Sequence, residues 1–108
     1  MTAGTALDAL GDGTRREIVG LLAERASSVQ ELADRLPVSR PAVSQHLRVL
    51  HDAALVTVAA RGARRIYRLD PAGAAAVRDY LDRTWDTALD SFEGYVEEHV
   101  AAATKESR

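Results

Sequence analysis

Arg40, Ser44, Gln45 and Arg48 are separated by four, one and three positions, a spacing that sets all four on one side of an α-helix. Guanidinium groups match the acceptors on a guanine edge, a carboxamide matches an adenine edge, and a hydroxyl suits a base or a phosphate. The chemistry on offer is hydrogen bonding to duplex DNA in the major groove. Ser39 and the free amides behind it suit a phosphate, and Pro41 is tolerated in the first turn. His46 borders the apolar side of the same segment, as a structural residue or a phosphate donor. A second cluster, Arg61, Arg64 and Arg65, suits the DNA backbone or a minor groove. Each cluster also has a plain alternative: a solvated helix face, and a hairpin edge kept from aggregating by charge. Arg68 is expected to pair with an acid of its own chain.

The elements that must hold these groups follow from periodicity and punctuation. Leu7 and Leu10 allow a short first helix, and Asp12 can cap the next, in which Ile18, Leu21 and Leu22 make an apolar stripe. Ser28 and Glu31 have the capping-box spacing for a short helix that Pro37 ends. Ser39 opens the following helix, with Val43, Leu47 and Leu50 inward. Two short helices across a tight turn make a helix-turn-helix candidate. Leu55–Ala59 and Arg65–Leu69 read as two strands around the turn at residues 61–64, a hairpin placed as a wing would be. Asp70-Pro71 starts a last helix with no stop before about Thr104. At about 1.5 Å per residue it would reach roughly 50 Å. One small core cannot cover that stripe, so it needs another chain, most simply an antiparallel twin. Gly94 is its weak point.

The fold expected is mainly α with a small β-hairpin, a single winged-helix domain over residues 1–108. Residues 1–26 hold the N-terminal helices, 27–51 the helix-turn-helix, 54–69 the wing and 70–104 a dimerisation helix.

Charge supports a localised anion-binding surface. The 108 residues carry a net charge of −2, yet residues 35–68 hold seven arginines against Asp52 alone, between two acidic flanks. The chain has no cysteine, which removes disulfides, thiolate metal sites and thiol catalysis. No apolar run approaches the roughly 18 residues of a membrane span, and the N-terminus lacks a secretory pattern. A cytoplasmic protein with no membrane contact is expected. No phosphate loop, H-E-x-x-H or G-x-S-x-G stands in the chain, so neither enzyme chemistry nor a cofactor is expected. Asp79, Asp82, Asp86, Asp90, Glu93 and Glu97 line one side of the last helix; a solvated face is the simple reading, a carboxylate site with His99 the alternative. A protein-interaction module with an incidental basic patch is the other.

Taken together, Ala9–Ile18, Ser28–Leu36, Ser39–Leu50, Leu55-Val56 and Arg64–Leu69 resemble the winged-helix repressors of the ArsR type, over about residues 6–70. The resemblance implies a homodimeric bacterial repressor bound to an inverted-repeat operator on the nucleoid. It also implies pairing through the first and last helices, which points to Leu7, Leu10, Leu81, Trp85, Leu89, Phe92 and Val96. Departures fall in the sensing half. Ser28-Val29-Gln30 stands where relatives carry Cys-x-Cys, and the Asp-x-His and His-x-x-Glu pattern of the last helix is missing; outside that half Gly13 replaces a proline, a minor change. No metal site and no particular effector are implied.

Overall fold

Asp12, Ser28, Ser39 and Asp70 each begin a helix, and each does so by the same device: a side-chain oxygen that accepts from an amide two or three residues ahead. A computed structural model describes residues 3–106, with side chains for residues 4–100. The order is α1 (Ala3–Ala9), α2 (Gly13–Glu24), β1 (Ser27–Ser28), α3 (Val29–Asp34), α4 (Arg40–Asp52), β2 (Val56–Arg61), β3 (Arg64–Leu69) and α5 (Pro71–Glu106). The chain divides into two compact units, one up to Val77 and one from Arg78 on.

In the first unit the expected inward positions make the core. Ile18, Leu32, Val43, Leu47 and Leu50 are fully buried, joined by Leu22, Leu55, Val56 and Val77. Each such aliphatic side chain contributes about 1.5–3 kcal/mol when removed from water. Leu7, Leu10 and Val38 pack partly against them. The end of α1 is tied to α2 by two arginines: Arg15 Nε donates to the Ala9 carbonyl, and Arg16 Nη1 donates to that of Leu10 at 2.8 Å. These bonds satisfy two of the carbonyls that a helix end leaves open.

The sheet corrects the two-stranded expectation. Ser27 and Ser28 add a third strand, antiparallel to β3, giving the order β1-β3-β2. β2 and β3 close through Gly62-Ala63, with Gly62 at φ 64°. A glycine of positive φ at the first of two turn residues is what a tight hairpin turn of matching twist requires. After α4, Ala54 sits at φ 59° and the Leu55 amide donates back to the Leu50 carbonyl at 3.0 Å, a left-handed helix stop made without glycine.

In the second unit α5 continues through Gly94 without the break that residue invited. Leu81, Trp85, Leu89, Phe92 and Val96 are all exposed, Trp85 and Phe92 at 62%.

Candidate nucleic-acid interface

Helix α4 is amphipathic in the strict sense. Its Val43, Leu47 and Leu50 are wholly buried, which fixes its rotation about its own axis, while Arg40, Pro41, Ser44, Gln45 and Arg48 are exposed. Its start is fixed by Ser39, whose Oγ accepts from the Ala42 amide at 3.3 Å, with Pro41 in the first turn. Helix α3 and the turn through Pro37 precede it, completing a helix-turn-helix. The expected row of donors and acceptors is therefore brought together on one rigid face.

His46 occupies the border of that face. It is half-buried, and Arg15 Nη1 lies 3.4 Å from its Nδ1. A guanidinium can only donate, so Nδ1 accepts and Nε2 is the ring nitrogen left to donate. The contact links α4 to α2 and, through Arg15, to Asp12. Asp12 is held below the ordinary carboxylate range, first by the Arg15 amide and then, against the opposing effect of burial, by the charge of the Arg15 guanidinium.

The wing supplies the other cations. Arg61 and Arg65 are exposed and make no ion pair among the described residues. Arg64 differs from both. Its Nη2 donates to Glu31 Oε1 at 2.8 Å and to Ser28 Oγ at 3.0 Å. Arg68, expected to be the paired arginine, has no ion pair among the described residues. Sequence spacing could not rank the two: Arg64 and Glu31 are 33 positions apart, and only the pairing of β1 with β3 brings them together. Between α4 and the sheet runs a groove of about 460 Å³, lined among others by Ser44, Arg48, His51, Arg65 and Tyr67. Arg48 on the helix side and Arg65 on the wing side, with Asp52 the one acid of the lining, join helix and wing into one surface suited to an anionic backbone.

Among the described residues no three histidine or acidic side chains gather into a metal-binding group. His99 Nδ1 instead donates to the Tyr95 carbonyl at 2.8 Å, its ring stacked on that tyrosine. No helix of the described chain is long and apolar enough to cross a membrane.

Residues 12–58 match the family of bacterial regulatory proteins of the arsR type. The chain is 58% identical over 87 residues to the HTH-type transcriptional regulator Rv2034 of Mycobacterium tuberculosis, covering 81% of each chain. The chain belongs to the ArsR family. It is similar in structure to a possible transcriptional regulator for arsenical resistance, with a TM-score of 0.72, 44% identity and coverage of 82% of this chain and 93% of that one. It is also similar to the homodimeric winged helix-turn-helix domain of Mb0332 from Mycobacterium bovis, with a TM-score of 0.64, 25% identity and 77% of both chains covered. This ArsR-family chain is thus a DNA-binding transcriptional regulator of winged-helix fold and not an enzyme. The helix-turn-helix and the wing read in the sequence are parts of that fold.

Proposed function

We propose that the protein is a homodimeric repressor that binds an inverted-repeat operator in the bacterial cytoplasm, on the nucleoid. The exposed row of Arg40, Ser44, Gln45 and Arg48, backed by a fully buried opposite side of α4, carries this reading. Arg40 and Arg48 contact guanine edges or flanking phosphates, Gln45 reads an adenine, and Ser39, Ser44 and the His46 Nε2 proton serve the backbone. Pro41 keeps the first turn open to the groove, and Arg61 and Arg65 follow the backbone beside it. Occupying a promoter blocks polymerase, which makes repression the output. The second copy covers the apolar stripe of Leu81, Trp85, Leu89, Phe92 and Val96, and Leu7 and Leu10 of α1 also pair with that copy. That stripe is also what an interaction module would show, but such a module has no use for the α4 face.

The test is affinity for a fluorescent duplex, taken from upstream of the protein's own gene, as salt is raised. A dimer neutralising six to ten phosphates loses about 10³–10⁵ in affinity between 50 and 200 mM salt. An affinity that does not change with salt overturns binding through this surface.

A further inference from the structure

Arg64 opens β3 immediately after the wing turn, and its place at the tip suggests a DNA contact. Its surroundings assign it otherwise. Ser28 stands opposite Ile66 in the β1–β3 register. One step further along, the chain leaves the ladder and enters the first turn of α3. The space where a strand neighbour would continue is taken by the α3 capping box, and Arg64 reaches into it. Ser28 Oγ accepts from both the Glu31 amide at 3.2 Å and Arg64 Nη2 at 3.0 Å. Glu31 Oε1 accepts from both the Ser28 amide at 3.2 Å and Arg64 Nη2 at 2.8 Å. Three residues from three elements close one ring of hydrogen bonds.

Electrostatics make Glu31 the member on which the ring depends. A cation beside a helix N-terminus meets the positive end of the helix dipole. Arg64 is also the direct cross-strand partner of Arg61, and like charges opposite each other repel. The Glu31 carboxylate offsets both effects at once. Without its charge the guanidinium keeps only neutral acceptors in the ring, Ser28 Oγ among them, and nothing offsets the two repulsions.

We propose that Arg64 is a positioning residue for DNA binding: through Glu31 and Ser28 it clamps the wing to α3, leaving Arg61 and Arg65 as the wing cations offered to the duplex. This rests on the reading of α4 and the wing as the DNA surface. The clamp joins the tip of the hairpin to the helix-turn-helix, so the wing arginines are held at a set place relative to α4 before DNA arrives. Loss of the clamp lets the tip move and costs affinity while every phosphate keeps its cation.

Glu31→Gln isolates the effect, because glutamine at this position still completes a capping box while the charge that holds Arg64 is gone. Affinity and its salt slope are measured for the parent, Glu31→Gln, Arg64→Gln, the double variant, Arg64→Lys and Arg65→Ala, with the same upstream duplex and below the unfolding range of each. The clamp predicts that Glu31→Gln and Arg64→Gln each weaken binding roughly three- to tenfold with the parent's slope, and that the double variant is no weaker than either. Arg64→Lys restores most of the affinity, since Arg64 makes both contacts through one nitrogen. Arg65→Ala lowers the slope by about 0.9 for each phosphate left without its cation. Tighter binding by Glu31→Gln, or a slope reduced in Arg64→Gln as in Arg65→Ala, makes Arg64 a phosphate contact held back by Glu31 and overturns the clamp. Should Arg64→Gln not fold, the Glu31→Gln result decides alone. A parent that binds no duplex, or binds without salt dependence, overturns the DNA surface itself and the clamp with it.

Discussion

Gln45 and Arg65 sit on the same proposed surface yet should fail in different ways. Gln45→Ala removes a carboxamide suited to an adenine edge, so it should cost about 1–3 kcal/mol of discrimination at one base position and leave other positions unchanged. Binding to a panel of singly substituted duplexes checks this; an unchanged preference at every position contradicts it. Arg65→Ala should instead weaken all duplexes alike. Two carboxylates carry a separate prediction. Asp12 is held down chiefly by the Arg15 amide, and Glu31 by the Ser28 amide and hydroxyl and then by Arg64. Both native groups therefore titrate below their unfolded counterparts, near pH 4. Their contribution is fully present above that range and is lost as pH falls through the lowered native values. Denaturant midpoints should be level from pH 6 to 5 and fall below about pH 4, with a shallower fall in Asp12→Asn and Glu31→Gln. The caps were legible in the sequence because a cap and its amide lie within one turn. The partner of Arg64 was not, since strand pairing and not spacing brings Glu31 to it.

Among the elements, the first turn of α5 comes very close to the turn that follows α4. Gly73, in the first turn of α5, lies so close to the Ala54 turn that an added Cβ would stand 1.9 Å from the Ala54 carbonyl oxygen. That oxygen is backbone and cannot rotate away. Gly73→Ala should cost about 1–3 kcal/mol or more, read as a melting midpoint lowered by several degrees; an unchanged midpoint contradicts the packing. Gly94, by contrast, meets nothing within 4 Å, and α5 runs through it unbroken. The two glycines look alike in sequence. Only the fold distinguishes the one that lets backbones approach. The helix-turn-helix was readable because Val43, Leu47 and Leu50 keep a helical period between a cap and a stop. The strand Ser27–Ser28 was not, because two residues show no period and the same serine caps α3.

At the scale of the whole molecule, the apolar stripe and the basic face make a joint demand. Trp85 and Phe92 are 62% exposed in the single chain, and exposed aromatics aligned along one helix mark an interaction surface. Trp85→Glu should shift the protein toward monomer in sedimentation and reduce DNA affinity at low protein concentration, although residue 85 is remote in sequence from α4. The stripe was legible from its spacing, and the single chain leaves it exposed. A single chain could not show which partner covers it. In the proposed dimer two copies of the α4 face enter one side of a duplex together. A hydroxyl-radical footprint on the DNA upstream of the protein's own gene tests this most directly. Paired α4 faces give two protected patches centred about one helical turn, roughly 10–10.5 base pairs, apart, both disappearing together in Arg48→Ala. A single patch, or uniform protection unaffected by Arg48→Ala, would contradict it.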